Sequence, residues 1–302
     1  MPQGSVLGPL LFNIYINDLF YLFVNTHACN FADDTTLTAG DVDLETLLHN
    51  LEDDTNYMKL NQGKCHSLTH GTTEFLWVMV GDEMIWESKA EKLLGVTVDK
   101  NLTFNTHLSN VCRKANQKVS ALARIARILP FHKRRVILKS FIESQFSYCP
   151  LVWMFCSRKM NRKINYIHER ALRLVYNDYS STFVELLRED KTVSFHHRNI
   201  HNLAIEMYKV KNDLSPAFMK EIFTYNESNE KFICPKVRTD MGKLSIRSFG
   251  PIVWNRMVPD NIKSSLNINI FKERIKSWVP DNCDCKLCKD WVDGVGYWNI
   301  TE

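Results

Sequence analysis

The sequence predicts an α+β fold, and three observations carry it. Short β-prone runs separated by turn residues fill much of the first hundred positions. Long helical runs with apolar stripes at 3.6-residue spacing follow. Charge changes sign between the two regions: residues 1–100 hold 5 Lys, no Arg and 15 acids, whereas residues 111–173 hold 15 Lys and Arg against Glu143 and Glu169 alone. An acidic front beside a strongly basic middle points to a carboxylate chemistry site next to a polyanion-binding element.

The 302 residues are 45% hydrophobic and 24% charged, with 11 Gly and 9 Pro, which excludes a disordered, collagen-like or low-complexity chain. Pro2, Gly4, Gly8 and Pro9 punctuate an opening loop. Leu10–Val24 is then apolar on nearly all sides, as in a helix buried against a sheet. Asn13, Asn17 and Asp18 within it, and no basic residue before it, argue against a membrane span or a signal peptide. Residues 28–39 read as a tight hairpin broken by Asp33-Asp34, and residues 43–60 as a helix with an acidic face. Asp53-Asp54 is taken as part of that face. Residues 74–99 suggest two or three strands, with Gly81-Asp82 a hairpin turn.

Beyond residue 105, Val111, Ala115, Val119, Leu122, Ala126 and Leu129 share one helix face, and Arg113, Gln117, Ser120, Arg124 and Arg127 line another. Lys133, Arg134 and Arg135 open a further helix. Met160, Ile164, Ile167, Ala171 and Leu174 form a third stripe, with Arg162, Tyr166, Arg170 and Arg173 opposite. Solvated helices normally mix signs for i,i+4 pairing, so faces this short of acids point to phosphate contact. Residues 180–302, with five prolines, read as short helices in an irregular α-rich region. Nine scattered cysteines, an odd number, point to reduced thiols and an intracellular location, nucleus or cytoplasm, and not to secretion.

Several segments in fixed order resemble the reverse transcriptases of non-LTR retrotransposons, most closely jockey-like elements. Residues 2–12 (PQGSVLGPLLF), followed by Ile14-Tyr15-Ile16-Asn17-Asp18-Leu19, are similar to the family's motif B. Phe31-Ala32-Asp33-Asp34 is similar to the aromatic-x-Asp-Asp motif C. Residues 58–65 (MKLNQGKC) resemble motif D, and residues 93–99 (LLGVTVD) the primer-grip motif E. The resemblance implies a partial polymerase palm, an antiparallel sheet with helices, over residues 1–100. A basic, thumb-like helical region would follow over 101–190, then an α-rich carboxy-terminal region over 191–302.

It also implies roles. Asp33 and Asp34 would hold Mg²⁺ for two-metal nucleotidyl transfer, which needs hard oxygen ligands. Gln3, Gly4 and Phe31 would border nucleotide and template. Lys64 would be the acid toward departing pyrophosphate, and Leu94 and Gly95 would support the primer end. Lys133, Arg134, Arg135, Arg113, Arg124, Arg127, Arg162, Arg170 and Arg173 would grip RNA template and DNA primer by their backbones. No membrane and no small-molecule cofactor is expected.

The family's remaining catalytic Asp lies on motif A, upstream of motif B, and no later acidic segment resembles it. The 302 residues are therefore expected to correspond to the carboxy-terminal part of an RNA-directed DNA polymerase, inactive alone, with an unpaired sheet edge and with the basic helices as the better-packed part. The alternative is a non-catalytic nucleic-acid-binding module built on those helices. Cys283, Cys285 and Cys288 lie within six residues and lack a fourth ligand nearby. They are either a Zn²⁺ site or an incomplete cluster without metal. His197 and His201, at i,i+4, are either a chelating pair or, with His196, a polar helix face.

Overall fold

The computed structural model of the chain describes residues 7–32, 34–56, 61–72, 74 and 76–279. Contacts divide the chain into two units, Met1–Leu102 and Thr103–Glu302.

In the first unit, α1 (Gly8–Asn17) carries a proline in its first turn, where the missing N–H leaves no bond unmade, and a 3₁₀ turn over Asp18–Tyr21 continues it. The expected burial is not found. No α1 residue is buried, and Leu10, Ile14 and Tyr15 are each more than half exposed. A helix apolar all round needs cover on every side, and the described elements of this unit do not supply it.

Those ribbons are antiparallel pairs. Strand β1 (His27–Phe31) pairs with β2 (Asp34–Thr38) in a register running from His27↔Thr38 to Phe31↔Asp34. Helix α2 (Leu44–Asn56) follows, its start held by the Asp43 carboxylate, which accepts from the Thr46 N–H at 3.0 Å and the Thr46 hydroxyl at 2.6 Å. Residues 74–99 contain four strands where two or three were expected. Strand β3 (Trp77–Val80) pairs with β4 (Glu83–Trp86), and β5 (Ala90–Leu93) with β6 (Val96–Asp99). Both turns are two residues long, the length that lets such short strands fold back directly. Gly81 sits at φ +61°, in the expected Gly81-Asp82 turn. The palm-like single sheet is thus replaced, among the described residues, by separate two-stranded ribbons.

The second unit is helical. Helix α3 (Asn105–Ile125) buries Leu108, Cys112, Ala115, Val119 and Leu122, two more positions than the sequence stripe identified. Helix α4 (Phe131–Ile137) runs into a π-helical turn, Leu138–Ile142, and a 3₁₀ turn, Glu143–Phe146. After the short α5 (Pro150–Trp153), α6 (Arg158–Tyr176) starts at Ser157, whose hydroxyl accepts from the Met160 N–H, and stops at Asn177 in the left-handed conformation. Helices α3 and α6 pack along one another around a first apolar core that includes Leu138, Ile142, Phe146, Ile164 and Leu172.

Helix α7 (Phe183–Glu189) opens with a reciprocal Thr182–Glu185 capping box. Helix α8 (Phe195–Lys211) is longer than the short helices expected here and is the axis of a second core. Helix α9 (Phe218–Ile222) and the ribbon of β7 (Tyr225–Asn226) and β8 (Lys231–Phe232) lead to α10 (Asp240–Lys243), α11 (Ile246–Ile252), α12 (Asp260–Lys263) and α13 (Ile268–Ser277). Trp254 stacks on Phe271 at 6.1 Å in that core, and the Tyr208 hydroxyl donates to the Ser265 carbonyl at 2.9 Å. His196, His197 and His201 on α8 are buried rather than a polar face. Among the described residues of the first unit, Leu76, Val80 and Val96 are the fully buried apolar side chains; the rest of the apolar core belongs to the helical unit. No described helix is long and apolar enough to cross a membrane.

Candidate nucleic-acid interface and hairpin carboxylates

Asp34 opens β2 directly opposite Phe31, both exposed, and Asp33 lies outside the described residues, as do Gln3, Gly4, Cys283, Cys285 and Cys288. Ala32 turns the chain at φ +56°, a left-handed conformation that costs a non-glycine residue about 1 kcal/mol. Bonds across the ribbon offset that cost: Asn30 Nδ2 donates to Thr35 Oγ1 at 3.0 Å, and Thr38 Oγ1 to the His27 carbonyl at 3.2 Å.

Sequence reasoning missed what holds this hairpin at its base. Asp54, taken as part of a solvated helix face, is 1% exposed. Its carboxylate accepts from the Val24 N–H at 3.3 Å and the Asn25 N–H at 3.0 Å, fixing the chain two residues before β1. Burial opposes its charge, but the hydrogen bonds from the 24–26 segment outweigh burial and hold the carboxyl below its ordinary range. Asp53, by contrast, faces His49 on the surface at 3.4 Å.

Lys64 is exposed on a 3₁₀ turn, Gln62–Lys64, and neither it nor Asp34 makes an ion pair among the described residues. Leu94 and Gly95 are the two turn residues between β5 and β6, at φ +46° and +87°. Positive φ at both central positions marks the hairpin turn whose twist matches its strands. In the same part of the fold, buried Glu87 accepts from Lys100 Nζ at 3.0 Å and from the Leu76 N–H at 3.3 Å.

A two-metal centre needs several hard oxygen donors converging on the ions. No group of three His, Cys, Asp or Glu gathers anywhere among the described residues, and Asp34 is the one hairpin carboxylate there.

The basic residues sort into two groups. Arg113, Arg124, Arg127 and Lys133 are exposed, Arg162 is half-buried, and none of the five pairs with a carboxylate among the described residues. Arg170 is half-buried and donates to Asn116 Oδ1 at 2.9 Å, tying α6 to α3. Tyr166, on the same helix, is 54% exposed. The other three are turned inward. Arg134 Nη1 donates to the Leu174 carbonyl at 2.9 Å. Arg135 Nε donates to Asp190 Oδ1 at 2.7 Å, and Arg173 Nε to Glu169 Oε1 at 2.9 Å. Arg134 and Arg135 thus tie α4 to α6 and to the end of α7, while the Arg173 bond to Glu169 stays within α6.

The two acids of residues 111–173 are turned inward as well. Glu169 is 3% exposed and is bonded to Arg173. Glu143 is 7% exposed and accepts from Arg198 Nη1 at 2.7 Å, Arg198 Nη2 at 3.0 Å and His168 Nε2 at 3.2 Å. Burial disfavours its charge, yet these partners prevail and hold its carboxyl well below the usual range. The exterior of this stretch is left with cations alone.

Residues 1–98 match the family described as Reverse transcriptase (RNA-dependent DNA polymerase). The chain is 24% identical over 203 residues to the RNA-directed DNA polymerase from mobile element jockey of Drosophila melanogaster, covering 58% of this chain and 21% of that protein. It is 24% identical over 195 residues to the probable RNA-directed DNA polymerase from transposon X-element, with 58% of this chain and 21% of that protein covered. It is 22% identical over 198 residues to the transposon BS protein, with 58% and 22% covered, both from the same fly. The chain thus spans about a fifth of the length of the curated relatives it matches. No solved structure matches it. Residues 1–98 are thus similar to the reverse transcriptase family, and 58% of the chain is similar to RNA-directed DNA polymerases of Drosophila mobile elements.

Proposed function

We propose that the chain corresponds to the palm-to-thumb part of an RNA-directed DNA polymerase and that its helical unit holds nucleic acid by the phosphate backbone. The observation that carries this is the inward turn of Glu143 and Glu169, which leaves Arg113, Arg124, Arg127, Lys133 and Arg162 without counter-charge on the surface. Cations that neutralise backbone phosphates release condensed counterions, so such binding weakens steeply with salt and hardly reads sequence. Tyr166 adds a ring on which a base can stack.

Catalysis is assigned differently. The hairpin with Asp33 and Asp34 contributes two ligands to a metal centre whose remaining carboxylate comes from another segment. The 302-residue polypeptide alone is expected to bind primer–template and not to extend it.

Fluorescence anisotropy of a labelled RNA–DNA duplex, titrated from low to high salt, tests the binding. The expected result is a steep loss of affinity with salt, and a shallower slope for the triple variant Arg113→Gln, Arg124→Gln, Arg127→Gln. Absent or salt-independent binding would sink the proposal. Primer extension on a homopolymer template with Mg²⁺ tests the second part, and measurable extension by this polypeptide would overturn it.

A further inference from the structure

A cavity of about 400 Å³, lined by residues of both cores, lies between α8, α13 and the turn after Phe146. This volume lies in the range of small-molecule sites and exceeds what a bare inorganic anion needs. Its wall combines apolar side chains, Phe195 and the isoleucines of both helices among them, with polar ones. Three cations line it: Arg198 from α8, and Lys272 and Lys276 one turn apart on α13. No Asp or Glu does.

Two features separate this from an ordinary solvated groove. Lys272 and Lys276 are like charges at i,i+4, an arrangement that repels, and neither makes an ion pair among the described residues. Asn199 also lines the cavity. It is 2% exposed, and its amide makes no side-chain hydrogen bond among the described residues. A buried amide normally has partners, and here the open side is the cavity. Arg198 is held rigidly by its bonds to Glu143 and to Thr192 Oγ1 at 2.6 Å, so it supplies a fixed donor edge while the lysines supply net charge.

We propose that this cavity is a nucleotide-phosphate site: Lys272, Lys276 and Asn199 take the phosphate, and the apolar wall beside Phe195 takes the attached nucleoside. The site is separate from the α3/α6 cations and does not depend on them. The phosphate belongs either to a free mononucleotide or to one unit of a strand.

Calorimetry on the full chain distinguishes the sources, with uridine 5′-monophosphate, uridine and a single-stranded decamer as probes. The decamer is measured in the Arg113→Gln, Arg124→Gln, Arg127→Gln background so that the α3/α6 surface does not mask the result. Saturable binding of uridylate, none of uridine, and at least a ten-fold loss in Lys272→Gln, Lys276→Gln support the site. The same loss for the decamer with stronger binding than uridylate assigns the phosphate to a strand. Both lysines are exposed, and an unchanged thermal melt confirms that the double variant folds. Absence of saturable uridylate and decamer binding, or binding indifferent to the two lysine changes, would overturn the site. Either outcome leaves the duplex-binding result untouched.

Discussion

Arg135 and Asp190, fifty-five positions apart, meet through a 2.7 Å bond from Nε to Oδ1, while Nη2 donates to the Asp190 carbonyl at 3.1 Å. The Tyr176 hydroxyl donates to the same Oδ1 at 2.9 Å. Asp190 has no side-chain exposure, so α4, α6 and the end of α7 converge on one buried carboxylate.

Neighbouring basic residues are therefore expected to behave oppositely. Arg135→Gln should destabilise the helical unit by about 2 kcal/mol, the scale of a charge-assisted hydrogen bond, because Arg135 keeps over a third of its side chain in water. Lys133→Gln should leave stability unchanged and weaken duplex binding. Urea denaturation and duplex anisotropy on the two variants separate these effects.

Acid should loosen the helical unit well before its carboxylates titrate. Burial pulls His201 down to about 4 from the ordinary 6.5, although its bond to the Trp278 carbonyl at 2.8 Å works the other way. Below pH 6.5 the unfolded chain takes up a proton that the folded one refuses. Stability is therefore complete above that pH and is lost as pH falls toward 4, by up to about 3 kcal/mol. Burial shifts His107 and His168 in the same direction. Glu143, held low, adds its own loss only below the usual carboxylate range. Urea midpoints between pH 7.5 and 4.5 should slope downward with acid, and His201→Gln should flatten that slope.

In the first unit, Asp54→Ala should cost about 2 kcal/mol by leaving the Val24 and Asn25 amides without their acceptor. Hydrogen exchange at those two amides should speed up with it. Asp53→Ala, which loses only a surface contact, should leave exchange at 24 and 25 as it was.

Leu94 carries a branched side chain at φ +46°, where glycine or asparagine is at ease. Leu94→Asn should stabilise the β5–β6 ribbon by about 1 kcal/mol, and Gly95→Ala should destabilise it by a similar amount. Thermal melts of the two variants, moving in opposite directions, check this.

What could be read in advance followed local chemistry. The hairpin around Asp34 announced itself through a short β-prone run broken by an Asp pair, and α3 and α6 through apolar spacing that packing then confirmed. Asp54 stayed hidden because its partners lie some thirty positions back and carry no pattern. The same holds for Arg135 and Arg173: a run of basic residues looks identical whether the guanidinium meets water or a carboxylate delivered by a later helix. Helix α1 failed for the opposite reason. Its apolar residues established that a helix forms, but composition says nothing of which surface, if any, lies against it.

With Glu143 and Glu169 folded away, the outer shell of residues 111–173 contains no ions of its own to balance it. In dilute buffer this surface will draw in any small or polymeric anion at hand. A tendency to retain contaminating polyphosphates during purification thus originates in the placement of two side chains, and added salt will relieve it.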